Sequence, residues 1–120
     1  MLGAAVVCRS LSTSVCRSST GAASSIVSPE WVNERLADVR VLDCSWYLPS
    51  MNRSGLDEYQ AKRIPGANFF DVNGVSDKSN PLPHMLPSEE DFAAEATRLG
   101  VTNDTTVVVY DGVGMFTSPR

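Results

Sequence analysis

The sequence predicts an α/β domain, a parallel sheet flanked by helices, and three observations carry that expectation. Helical and extended segments alternate along the chain, which is the order of parallel strands joined by crossover helices. The run Thr106-Val107-Val108-Val109-Tyr110 is almost wholly apolar, as a strand covered on both faces must be. Two helices announce themselves through their caps, at Ser28-Pro29-Glu30 and at Ser88. At 120 residues the chain has room for one small domain.

Taken in order, the folded part starts near Ser28. Its hydroxyl can cap a helix, Pro29 stands where no amide partner is needed, and Glu30 lies near the positive end of the helix dipole. Trp31, Glu34 and Arg35 continue the helix and Leu36 closes its apolar side. Residues 39–42 then read as a short strand ending at Asp43. After a polar loop over residues 50–55, a helix is expected over 55–63 with Leu56 and Tyr59 inward. Ile64-Pro65-Gly66 forces a turn, and residues 68–70 form a second strand. Residues 71–87, rich in Asn, Asp, Ser and Pro, read as a long irregular connection of the kind that is functional or disordered. The next helix has Ser88 as cap, Asp91 as an Asp variant of the capping box, and Phe92, Ala96 and Leu99 along one face; Gly100 ends it. The strand over residues 106–110 follows, and residues 111–114 form the loop at its carboxyl end. Three strands cannot cover themselves, so the sheet reads as incomplete at its carboxyl-terminal part.

Charge is unevenly distributed. The total is −4, yet residues 1–29 hold Arg9 and Arg17 and no acid; removing their +2 leaves −6 for residues 30–120. A basic, Ser-rich, acid-free leader over residues 1–25 reads as a mitochondrial transit peptide or a disordered leader, with residues 26–120 as the domain. Arg9 and Arg17 interrupt the apolar core that a secretory signal needs. The acidic balance argues against a nucleic-acid partner, and no apolar run is long enough to span a bilayer. Cys8, Cys16 and Cys44 are odd in number and lack a Cys-x-x-Cys spacing, which disfavours a disulfide framework. One histidine and no paired ligands give no metal site, and Gly112 and Gly114 lack the third glycine of a dinucleotide fingerprint.

Four blocks, VLDCSWYLP at 41–49, RIPGANFFD at 63–71, PHMLP at 83–87 and VVVYDGVGMFTSPR at 107–120, occur in the order and spacing of one family. The chain resembles the 3-mercaptopyruvate and thiosulfate sulfurtransferases of the rhodanese family. The resemblance implies a rhodanese-like fold, and places this chain as the amino-terminal, non-catalytic half of a two-domain enzyme, cut short. It implies that a cysteine of the second rhodanese domain takes sulfur as a persulfide from a small sulfur donor, mercaptopyruvate or thiosulfate. Thioredoxin, a small thiol or cyanide then accepts it, without a cofactor. The leader composition favours the mitochondrial matrix, with a plastid as the alternative.

Its site residues follow position by position. Asp111 and Gly112 fall at the pseudo-active loop, an acid standing where the second domain would offer cysteine, so this half should not turn over sulfur alone. His84 matches a histidine proposed as a proton relay, and an imidazole, which can both take up and give a proton, suits that task; the other reading is a loop imidazole that merely packs. Asp71 and Asn73 match substrate-pocket positions. The family often has aspartate where Asn73 stands, so an acid/base role is weakened there, and Asp71 can equally cap the loop. Cys44 stands where relatives commonly have alanine and reads as packing. Arg63 and Arg120 support no site assignment. Trp31, Trp46, Phe69, Phe70 and Phe92 read as core. The competing function is a catalytically inactive rhodanese-like module for protein binding or regulation.

Overall fold

The computed structural model describes residues 5–8 and 26–114. Local signals position its helices. Helix α1 (Pro29–Glu34) begins where the Ser28 hydroxyl oxygen accepts from the Trp31 amide at 3.3 Å. Helix α2 (Gly55–Ala61) begins in the same way at Ser54, which accepts from the Asp57 amide at 3.2 Å. The longest helix among the described residues, α4 (Glu89–Arg98), starts at Ser88, whose oxygen accepts from the Asp91 amide while its hydroxyl donates to the Asp91 carboxylate. It ends at Gly100, whose φ of 73° lets the Gly100 and Val101 amides turn back to the Thr97 and Ala96 carbonyls.

Strands β3 (Val39–Asp43), β4 (Asn68–Phe69) and β5 (Thr106–Tyr110) are the three expected from the sequence, and all three are parallel. β3 lies between the other two, in register Val41 to Val108 and Asp43 to Tyr110 with β5. The sheet then extends beyond expectation. β1 (Ala5–Cys8), within the segment read as leader, pairs antiparallel with the outer edge of β5, and β2 (Ile26–Val27) pairs with β1. The physical reason is the one that made three strands insufficient: β5 is apolar on both faces, and its second edge needs backbone partners. The remaining leader residues, with Cys16, and the segment 115–120 with Arg120, lie outside the described residues.

The two faces of the sheet carry separate cores. Val27, Val32, Val41, Ala67, Val108 and Tyr110 pack together under α1 and α2, with Val108 wholly buried. Leu42, Cys44, Leu99 and Val109 pack on the opposite face, where α4 meets the sheet through its carboxyl end. An Asn68 side-chain amide bonded to the Leu99 carbonyl ties that end to β4.

Three sequence expectations need correction. Phe92 is 53% exposed rather than core, because α4 docks through Leu99 and its first turns reach past the covered strip. Leu56 is also exposed; α2 instead turns Tyr59 inward, where its hydroxyl donates to the Ala67 carbonyl at 2.7 Å. The connection over residues 71–87 contains a single helical turn, α3 (Val72–Val75), closed by amides that return to the Asp71 and Val72 carbonyls.

Candidate functional site

The carboxyl ends of β3 and β5 converge on a pocket of about 490 Å³ beneath α1 and α2, lined by Asp43, Ser45, Tyr47, Tyr110, Asp111 and Gly112. Parallel strands bring these residues together because their chain directions agree, so both strand ends open into loops on the same side of the sheet. Asp43 and Asp111 are almost fully buried, and each carboxylate is met by backbone: the Ser45 amide donates to Asp43 Oδ1 and the Val113 amide to Asp111 Oδ1, both at 2.9 Å. The Gly112 amide donates to the Ser45 hydroxyl oxygen at 2.9 Å. Two amides of the 111–114 loop that could hold an anion are therefore already engaged by the protein's own oxygens.

The tyrosines are equally committed. Tyr110 is hydrogen-bonded to Asp43 and accepts from the Ile64 amide at 3.5 Å; burial first, then that carboxylate, push its phenol well above the ordinary range. The Tyr47 hydroxyl donates to Glu58 at 2.7 Å and accepts from Arg53 at 3.0 Å. Burial, reinforced by the Glu58 bond, raises its phenol too. Arg53 grips Glu58 through two bonds of 2.7 Å while its guanidinium lies 3.9 Å from the Tyr47 ring centre, and holds the Glu58 carboxyl below its ordinary value. Gly112 runs against this assembly so closely that a Cβ there would collide with the Tyr47 hydroxyl.

Comparison with known proteins bears on this arrangement. No protein-family model matches the chain. It is 50% identical over 97 residues to thiosulfate/3-mercaptopyruvate sulfurtransferase 2 of Arabidopsis thaliana, covering 79% of this chain and 28% of that protein. It is 48% identical over 105 residues to the mitochondrial thiosulfate/3-mercaptopyruvate sulfurtransferase 1 of the same plant, covering 86% and 28%. The solved structure of SseA from Escherichia coli, described as a 3-mercaptopyruvate sulfotransferase of rhodanese fold, superposes with a TM-score of 0.64 at 40% identity over 69% of this chain and 33% of that one. The chain belongs to the thiosulfate/3-mercaptopyruvate sulfurtransferase family. It spans about a third or less of the length of these relatives.

Sulfurtransfer needs a nucleophilic sulfur, and the described part of this family member offers none in the pocket. Cys44 follows Asp43 at the end of β3, but its side chain packs with Leu42, Leu99 and Val109 on the other face of the sheet. Burial, then the charges of Asp43 and Asp111, push its thiol up to about 12, so the neutral form prevails at physiological pH. Asp111 and Gly112 stand where the sequence placed them, at the carboxyl end of β5 in the strand-end loop.

The other residues singled out from the sequence lie elsewhere. Asp71 is exposed at the start of α3, makes no side-chain cap bond, and borders a second hollow of about 740 Å³ with Asp77, Asp91, Glu95 and Arg98. Asn73 is exposed and lines neither hollow; its carbonyl accepts from the Lys78 ammonium. His84 lies outside both hollows, its ring 4.6 Å from that of Trp46 with the planes at 77°. Among the described residues there is no cluster of ligating side chains suited to a metal ion. Reading the sequence missed the Tyr47, Arg53 and Glu58 assembly. The Ser45-Trp46-Tyr47 run directly after a strand end is the one local signal that pointed to it.

Proposed function

We propose that this chain is the amino-terminal, non-catalytic lobe of a sulfurtransferase that moves sulfur from 3-mercaptopyruvate or thiosulfate to a thiol, thioredoxin or cyanide. The persulfide-forming cysteine belongs to a second rhodanese domain, and this lobe forms one wall of the cleft between them. One observation carries the reading: at the strand end where a nucleophile would stand, Asp111 offers a carboxylate tied to its own loop, while Cys44, the nearby thiol, is buried and neutral.

With mercaptopyruvate as donor, the second-domain thiolate attacks the donor sulfur. The S–S bond of the persulfide forms as the C–S bond breaks, and the electron pair leaves on carbon as the enolate of pyruvate, which takes up a proton. A thiol or cyanide then removes the outer sulfur and restores the thiolate. The proton step is the one to which this lobe contributes. His84 is the chain's single histidine, and an imidazole can both take up and give a proton. Asp71, at the start of α3, and Asn73, within it, are assigned to the substrate side of the cleft, with Asn73 limited to hydrogen bonding. The leader composition, together with the mitochondrial relative, supports a mitochondrial protein.

The test is an exchange. This chain replaces the matching segment of the Arabidopsis sulfurtransferase 2, and sulfur transfer from mercaptopyruvate is measured with and without His84→Gln. The exchanged enzyme is expected to turn over. His84→Gln is expected to lower kcat about 100-fold with KM nearly unchanged, the signature of a lost proton-transfer group. Unchanged rate constants in His84→Gln would remove the relay role.

A further inference from the structure

His84 occupies an unusual place in its own loop. Within residues 81–86 it alone is half-buried; Pro81, Leu82, Pro83, Met85 and Leu86 are all exposed. Its φ of 58° lies in the left-handed region, which a residue with a side chain adopts at a cost and only when its surroundings hold it there. The surroundings include the indole of Trp46. The two rings meet edge to face at 4.6 Å, a preferred geometry for aromatic pairs.

The backbone that presents Trp46 is pinned on both sides. The Cys44 amide donates to the Tyr110 carbonyl, the Ser45 amide to Asp43, and Ser45 Oγ receives the Gly112 amide. Tyr47, the next residue, is clamped by Glu58 and Arg53. The loop that carries His84 is held from the other direction, by the Asp77 amide on the Met85 carbonyl. A fixed indole thus meets an imidazole on an otherwise exposed loop.

From this geometry we infer that Trp46 is a positioning residue for His84: its indole holds the imidazole in the orientation needed for proton transfer. The inference rests on the role proposed above for His84 and adds the group through which the strand-end platform acts on it. Because the indole touches the imidazole and not the reacting atoms, its loss lowers the rate only through His84. Phenylalanine, which keeps an aromatic face, replaces it in part, and leucine does not.

Two measurements decide the matter. In the 120-residue chain the single imidazole gives one set of carbon-bound proton signals. They are expected to show cross-relaxation to the Trp46 indole and a ring-current displacement. The displacement persists in part in Trp46→Phe and collapses in Trp46→Leu, with the amide signals of β3 and β5 in place, whereas Trp31→Leu leaves it unmoved. Absence of the cross-peaks in the unsubstituted chain, or imidazole signals that do not respond to Trp46→Leu, would overturn the inference.

In the exchanged enzyme, Trp46→Leu is expected to lower kcat by about 10- to 100-fold with KM within about twofold, Trp46→Phe to recover most of the rate, and Trp46→Leu to add nothing to His84→Gln. Losses that multiply in the double variant would contradict action through His84. Normal turnover by His84→Gln would sink the relay reading, and with it any catalytic consequence of the contact. The magnetic resonance result would still decide the contact itself.

Discussion

The loop at the end of β5 and the connection that carries His84 are both polar, both follow a strand, and both were singled out from the sequence, yet they are built on opposite principles. In residues 111–114, of which Asp111 alone is buried, the polar groups answer one another: Asp111 takes the Val113 amide, Gly112 gives its amide to Ser45, and the Tyr47 hydroxyl, held by Glu58 and Arg53, lies against the glycine. In residues 81–86 most side chains are exposed, one residue is held in a left-handed conformation, and its imidazole rests edge to face on an indole. A satisfied loop has little left to offer a substrate. An exposed loop with one held imidazole can present it to whatever closes on that side. The site whose place in the fold suggests catalysis is therefore the one whose polar groups are already paired.

That contrast predicts unequal sensitivity to substitution. Gly55 opens α2 against the Ser45 carbonyl with no room for a Cβ, and backbone cannot swing aside as a side chain can. Gly55→Ala is expected to cost about 3 kcal/mol in denaturant unfolding, and Gly112→Ala about 2 kcal/mol, as overpacking does. Tyr47→Phe removes the hydroxyl that Gly112→Ala strikes, so the second cost should shrink to less than about 1 kcal/mol in that background. Equal costs with and without the hydroxyl would show that Tyr47 does not set the space at Gly112.

A second consequence concerns alkali. The Cys44 thiol is raised by burial from an ordinary value near 9.0 to about 12. The folded chain keeps the proton that the unfolded chain gives up, so this stability is present in full below about pH 9 and is lost as pH rises toward about 12. The slope expected from one such group is about 1.4 kcal/mol per pH unit in that window. Tyr110, raised in the same direction, steepens it further up the scale. Cys44→Ala should flatten the curve above pH 9, and an unaltered slope would place the thiol in contact with water. The smallest effect is expected in the other region. His84→Gly relieves a left-handed residue and loses the interactions of the imidazole, the Trp46 contact among them, and these offset to within about 1 kcal/mol. A loss of several kcal/mol would mean that the connection is as interlocked as the end of β5.

The sequence revealed what is local. Ser28, Ser88 and Gly100 mark helix ends because capping is decided within four residues, and the apolar run of β5 declares a doubly covered strand. The position of Asp111 followed from its place after that strand. β1 was not legible, since four apolar residues in a Ser- and Arg-rich segment give no period, and their role comes only from the edge of β5. Phe92 shows the same limit: periodicity names a face of α4 but not how far the sheet reaches under it. The contacts of Tyr47 with Glu58, 11 residues on, and of Trp46 with His84 are tertiary, and no local pattern encodes them.

If the described lobe carries no working sulfur nucleophile, thiocyanate formation by the 120-residue chain supplied with cyanide and either mercaptopyruvate or thiosulfate will reveal it. No product is expected above the rate without protein, and no persulfide adduct on Cys44 by mass spectrometry. Thiocyanate that accumulates with the intact chain and disappears in Cys44→Ser would contradict it.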